Sequence, residues 1–200
     1  MLTTRSIGIF LFCLFAIPQI SSAQARSAEE ETAQMLARLE SVIPAKPTEV
    51  TPEIYGLMEQ AGSTKRLDAA NLLIRALAFN WSVSGSNEYK GLFEMITAAP
   101  ILQRDYGASA LPLLLFQGVT TDQEWMRKRI AFVVKTLAGR QELARVVEAF
   151  SLKTSDDPKA RQFTALLEQS QIDIYLANPA LESAEQLIEI LRKDKKPPIE

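Results

Sequence analysis

The chain has 200 residues, 47% hydrophobic and 23% charged, with 22 Lys and Arg against 24 Asp and Glu, one cysteine and no histidine. That length suits one domain with a sizeable core, and the near-neutral balance lacks the strongly basic face of a dedicated nucleic-acid binder. Without histidine the Ser-His-Asp and Cys-His catalytic arrangements are excluded, and with them nearly every zinc site.

Residues 1–25 carry Arg5, then an apolar run from Ile7 to Ile17, then Pro18, polar residues and the triplet Ala23-Gln24-Ala25. This is the three-part plan of a secretory signal peptide, with cleavage expected after Ala25. The apolar run is too short to span a bilayer core of about 30 Å as a helix, so no stable membrane insertion is expected after cleavage. Cys13 sits between the bulky Phe12 and Leu14, where lipoprotein processing wants small residues. Cleavage leaves residues 26–200, without any thiol, and lowers the formal charge from −2 to −3 because Arg5 departs. An exported domain of this size with no disulfide points to a bacterial periplasm, where the sequon Asn80-Trp81-Ser82 would go unused.

In the mature chain helical spacing dominates and strand alternation is nearly absent. Helices are expected near 28–42, 51–61, 64–80, 87–98, 108–118, 122–138, 140–151, 158–170 and 179–193. Thr51-Pro52, Asp157-Pro158 and Asn178-Pro179 each place a capping side chain before a proline at the first helical position. Thr121-Asp122-Gln123-Glu124 has the form of a capping box. Gly62, Gly85 and Gly139 are expected stops. Leu67, Asn71, Ile74, Leu77 and Trp81 follow one line, with Asn71 its polar intruder, while Met126, Ile130, Val133 and Leu137 form a wholly apolar stripe. Residues 43–50, with Pro44 and Pro47, read as an extended connector, 99–107 is ambiguous, and 194–200 reads as a disordered tail. The fold class is all-α, with 26–193 as the folded domain.

A shift of 34 residues lays Phe116 on Phe150, Thr120 on Thr154, Asp122 on Asp156 and Arg127 on Arg161. It also lays Ala131 on Ala165, Phe132 on Leu166 and Val133 on Leu167. Matches in both halves of a helix-turn-helix unit mark an internal repeat, and an earlier unit between Ile54 and Leu77 follows the plan with Tyr55, Arg66 and Ala70. The stretch from Ala108 to Gly139 has Pro112 in a first helix, Asp122 in the turn, Arg127 and Ala131 in a second helix, and Leu137-Ala138-Gly139 at its end. It resembles a HEAT repeat; 141–170 resembles one moderately, 51–80 loosely and 84–107 poorly. The offset also suits tetratricopeptide repeats, but their Trp, Gly, Tyr and Pro placements are missing. The resemblance implies a short right-handed stack of antiparallel helix pairs, a HEAT-like α-solenoid. In it Asp122 and Arg127 would pair across the turn, and the polar helices 28–42 and 179–193 would cap the ends. An irregular helical bundle is the alternative.

Arg127-Lys128-Arg129, with Lys135, Arg140 and Arg145, is the densest basic cluster, suited to a phosphate, a lipopolysaccharide or an acidic protein face, or to simple solvation. Trp125 and Phe132, with Arg129 between them, lie beside the core stripe. Exposed, they would be anchors of the kind enriched in protein interfaces; covered, they would pack on the neighbouring unit. Trp125, Arg127, Lys128, Arg129 and Phe132 are therefore the candidate binding residues. Trp81, Tyr89, Tyr106 and the loop 82–87 surround the poorly matching centre, as a recognition edge or a plain connector. Glu40-Ser41 followed by Gly56-Leu57-Met58-Glu59-Gln60 is similar in part to lytic transglycosylases, which implies Glu40 as a general acid. Glu59 interrupts the Gly-Leu-Met-Gln run and the Ser-x-x-Gly-Ala segment is missing, so Glu40 reads better as an exposed helix-end residue. The apolar stretch from Leu111 to Phe116 would line the cavity of a hydrophobic-ligand carrier. No dinucleotide, Walker, HExxH or EF-hand spacing occurs. The expected function is a non-catalytic, cofactor-free periplasmic scaffold or adaptor. It would be monomeric or weakly oligomeric and would bind another envelope or secreted protein, not nucleic acid.

Overall fold

Helix α1 (Ile17–Val42) contains the segment expected over 28–42 and extends it toward the N-terminus. The computed structural model describes residues 17–81, 96–153 and 157–177, together with 185, 188, 189 and 192. Residues 25–31 of α1 are exposed throughout, and among the described side chains Met35, Leu36 and Leu39 meet the core. The proline-bearing connector is extended as expected and supplies a strand, β1 (Thr48–Glu49). Helix α2 (Pro52–Ser63) starts where its capping chemistry places it: Thr51 Oγ1 accepts the backbone N–H of Ile54 at 3.3 Å and Pro52 opens the first turn.

The helix expected over 64–80 is shorter. Thr64 and Lys65 turn the chain, Lys65 at φ 53°, and α3 runs only from Leu67 to Arg75. A 3₁₀ turn (Ala76–Ala78) follows, and then β2 (Phe79–Asn80) pairs in parallel with β1, Thr48 opposite Phe79 and Glu49 opposite Asn80. Asn80 also bridges Ile96 in the antiparallel sense. Because the helix ends before Leu77, the line from Leu67 to Trp81 is not one face. Leu67 is 68% exposed, while Ala69, Leu72, Leu73 and Ala76 are buried.

Gly62, an expected stop, lies in the last turn of α2, one residue before its end. Its missing side chain admits α4 (Ala98–Asp105), since a Cβ there would fall 2.5 Å from Cγ2 of Ile101 and against the Asp105 carboxylate. The ambiguous segment 99–107 is thus mostly helical. Most of the helix expected over 87–98, with Gly85, the loop 82–87 and Tyr89, lies outside the described residues.

A second 3₁₀ turn (Gly107–Ala110) leads into α5 (Leu111–Thr120). Helix α6 (Glu124–Lys153) breaks at Gly139, whose φ of 64° and ψ of −175° divide it into two arms where two helices are expected. A left-handed φ is easily adopted only by glycine. The reciprocal capping box is not formed: Thr121 Oγ1 accepts the N–H of Gln123 at 3.3 Å, and the Glu124 carboxylate turns instead to Lys128 at 2.7 Å. The apolar stripe holds, with Met126, Ile130 and Val133 buried and Leu137 half-buried, and Ala131 and Val134 widen it. Helix α7 (Pro158–Ala177) runs past the expected end at 170 and is capped by Asp157, whose Oδ1 accepts the N–H of Lys159 at 2.9 Å.

The described residues are overwhelmingly helical, and the protein is all-α. Leu39, Met58, Leu73 and Leu102 from α1–α4 form one cluster with Leu114, Ile130, Leu143 and Phe163 from α5–α7. The two groups join where α3 meets α5 and the 3₁₀ turn 76–78 meets α6. Gly118 of α5 lies against the ring of the fully buried Phe163 of α7. Among the described residues no helix is long and apolar enough to cross a membrane. The expected signal segment lies mostly outside them, with 17–25 helical in α1. The Asn178-Pro179 cap and the tail 194–200 also lie outside, and so does most of the end helix 179–193.

Candidate functional site

The five candidate binding residues occupy the first arm of α6 in different ways. Arg127 points inward and is only 3% exposed; its Nη1 donates to Gln162 Oε1 at 2.6 Å and its Nη2 to the Thr121 carbonyl at 2.7 Å, while Nε has no partner. It fastens the α5–α6 turn to α7 and is closed to a partner. The expected Asp122–Arg127 pair does not form, because Asp122 sits on the exposed turn and meets Lys159 instead. Arg129 is half-buried: it donates to the Leu77 carbonyl and lies over the Trp125 ring at 5.4 Å. Burial pushes its guanidinium below the usual range. A cation at the carbonyl-bearing end of α3 and its 3₁₀ turn offsets the negative end of the helix dipole. Trp125 and Phe132 are half-buried against the core, and only Lys128 is well exposed, in its pair with Glu124.

Three ties join the first arm of α6, with its leading turn, to α7. Asp122 meets Lys159, Arg127 meets Gln162, and Lys135 meets Asp173 at 3.3 Å, at separations of 37, 35 and 38 residues. Partners that advance together at a nearly constant separation show that the two helices lie side by side and run in the same direction. Lys159 holds the Asp122 carboxyl below the usual carboxylate range, and Gln169 and then Lys135 do the same for Asp173. Helices α1 and α3 repeat the arrangement: Glu40 accepts from Arg75 at 2.6 Å, again 35 residues apart. Glu29 acts electrostatically on Arg66, 37 residues later, and Ala33, Leu36 and Ala37 of α1 line a groove of about 410 Å³ together with Asp68, Asn71 and Leu72 of α3.

A second groove, also of about 410 Å³, opens where this layer meets the first arm of α6. Ile43, Pro44 and Ala45 form one wall, Gln117, Thr121 and Asp122 the other, with Ile74, Met126 and Ile130 beneath. Arg75 lines both grooves, so its ion pair with Glu40 stands as a ridge between them. Neither groove is lined by the stretch from Leu111 to Phe116. Leu111 and Leu114 of that stretch are packed into the core and Phe116 is 62% exposed.

Comparison with protein-family models, with curated proteins and with solved structures finds no match.

The chemistry therefore rests on the side chains alone. A general acid on a glycosidic bond needs apolar surroundings that keep it protonated. Glu40 is instead exposed and ion-paired. Among the described residues no group of three or more acidic or thiol side chains could hold a metal. On the far side of α2, Tyr55 donates to Glu59 at 2.7 Å, and Glu59 and Asp105 share Arg104 at 2.8 and 2.6 Å. That network ties α2 to α4, and Tyr55 packs on Trp81 with ring centroids 4.9 Å apart. Nothing local distinguishes Arg75 and Gln117 in the sequence, and Gln123 stands out there only as part of the expected capping box. Asn71 was visible as the polar interruption of an apolar line.

Proposed function

We propose that the chain is an exported, non-catalytic scaffold or adaptor, a HEAT-like stack that offers a helical surface to another envelope or secreted protein. The observation that carries this reading is the parallel side-by-side running of helices in both halves, α1 with α3 and α6 with α7, at separations of 35 to 38 residues. An up-and-down hairpin brings together residues whose numbers run in opposite directions. A stack of helix-turn-helix units instead places each second helix beside its counterpart one repeat later. The structural spacing lies close to the 34-residue repeat in the sequence.

The units are not equivalent. Arg127 and Ala131 are buried while their counterparts Arg161 and Ala165 are exposed, as expected where one unit lies inside the stack and the other nearer its edge. Trp125, Lys128 and the exposed edges of Arg129 and Phe132 form the proposed partner-facing surface; Arg127 serves the stack itself.

Export is tested by fractionation and intact mass, with a mature chain beginning at Arg26 as the expected result. The face is tested by capture from envelope extracts with wild type, Lys128→Glu and a Trp125→Ala/Arg129→Glu double variant. The folded variants are expected to lose a partner that wild type retains. If both keep every wild-type partner, the surface is assigned wrongly.

A further inference from the structure

We propose that removal of residues 1–25 resets the start of α1. The processed chain restarts the helix at Ser27 and closes it with a reciprocal capping box between Ser27 and Glu30 that the uncut chain does not use. The inference rests on the exported reading and adds to it how the body keeps α1 once the signal segment has gone.

In the full chain α1 runs without a break from Ile17 to Val42, so the expected cleavage point after Ala25 falls inside a helix. In an α-helix each N–H donates to the carbonyl four residues earlier. The N–H groups of residues 26–29 therefore belong to carbonyls of residues 22–25, which depart with the signal segment. A helix start left with open N–H groups needs side chains or water in place of the lost acceptors. Packing does not hold this start: residues 25–31 are exposed throughout, and among the described side chains contact with the core begins at Met35. About two turns of unpacked helix are marginal in water, so local chemistry decides whether they persist.

Residues 27–31 read Ser-Ala-Glu-Glu-Glu. With Ser27 as N-cap, Glu30 takes the third helical position. At that spacing the hydroxyl accepts the N–H of Glu30 and the Glu30 carboxylate accepts the N–H of Ser27. Glu29, Glu30 and Glu31 then sit at the positive end of the helix dipole, while Arg26 and the new amino group stay outside the helix. In the uncut chain these residues are interior. There serine is a poorer helix former than alanine, and the Ser27 hydroxyl donates sideways to Glu31 Oε1 at 3.5 Å. The new start also stands near the start of α3, where Arg66 precedes Leu67 and lies within electrostatic reach of Glu29.

The test compares two forms of the chain by NMR. One is the processed protein recovered after export; the other is the full chain made by cell-free translation, which keeps residues 1–25. Carbon-13 shifts and amide exchange over residues 28–34 report the helix. In the processed form Ser27→Ala and Glu30→Ala are expected to speed exchange there by about 3- to 10-fold. Ser27→Asp and Glu30→Gln, which keep the capping chemistry, are expected to hold wild-type values. In the full chain Ser27→Ala is expected to leave exchange unchanged or slower, because alanine is the better interior residue. Equal responses of the two forms to Ser27→Ala, or a Glu30→Gln variant as frayed as Glu30→Ala, would overturn the proposal. Intact mass separates this inference from the reading beneath it. A processed chain that begins at Arg26 and ignores Ser27→Ala overturns the capping inference alone. An exported chain that still begins at Met1 overturns both.

Discussion

Replacing Gly118 by alanine probes the contact between α5 and α7. An added Cβ would lie 2.6 Å from Cε1 of Phe163 and closer still to the rest of the ring edge, and Phe163 is fully buried with no room to swing aside. Overpacking of this kind costs ~1–3 kcal/mol, while alanine in a helix returns up to ~1 kcal/mol relative to glycine. The net loss is about 1–2 kcal/mol, a fall in Tm of about 2–8 °C for a domain of this size. Gly56 is the control: it lies within α2 and a Cβ there would meet nothing within 4 Å. Gly56→Ala should therefore raise Tm by about 1–4 °C. Thermal and urea unfolding followed by circular dichroism measure both. Adding Phe163→Leu to Gly118→Ala should recover at least ~1 kcal/mol relative to the sum of the single losses, because the smaller side chain leaves room for the new methyl. If Gly118→Ala stabilises the protein as Gly56→Ala does, or if the two losses simply add, α5 does not pack on α7 as described.

Arg127→Ala should cost about 2–4 kcal/mol, since it leaves a cavity and removes two charge-assisted hydrogen bonds. Arg127→Met, which fills the space and removes the unpartnered Nε, should cost less than half as much by urea unfolding. Equal losses would show that the guanidinium's hydrogen bonds matter more than the volume it fills. For pH dependence, Asp122 and Asp173 titrate below their ordinary range when folded. They therefore contribute stability above the unfolded value near ~4 that is lost as pH falls through the folded values. Asp122→Asn should make the decline in urea midpoint below about pH 4 shallower. An unchanged acid limb would remove Asp122–Lys159 from the account. The Tyr55 phenol is raised by its hydrogen bond to Glu59 and then by burial. Its contribution is full below the unfolded value near ~10 and fades as pH rises through the higher folded value. Tyrosinate absorbance should show a late-titrating phenol that disappears in Tyr55→Phe.

Much of the helical architecture was legible because its signals are local. Thr51 and Asp157 cap their helices through N–H groups two or three residues away, and Gly139 breaks α6 because one residue must adopt a left-handed φ. Such effects act within a turn of helix, so a single sequence exposes them. The stripe Met126, Ile130 and Val133 was readable for the same reason. The line through Leu67 failed because its helix ends at Arg75, where Phe79 leaves to pair with a strand formed some thirty residues earlier.

Length, composition and spacing alone determined that the chain builds an all-α body from capped helices and, having no histidine, excludes histidine-dependent catalysis. Tertiary structure decided what each residue is for. It made Gly62 and Gly118 points of close approach, and sent Arg127 to Gln162 and Asp122 to Lys159. It also placed Arg75, paired with Glu40, at the edge of two grooves. The physical reason is range: capping and periodicity are fixed by neighbours in the chain, whereas packing partners stand 35 or more residues apart and meet only when the helices lie side by side.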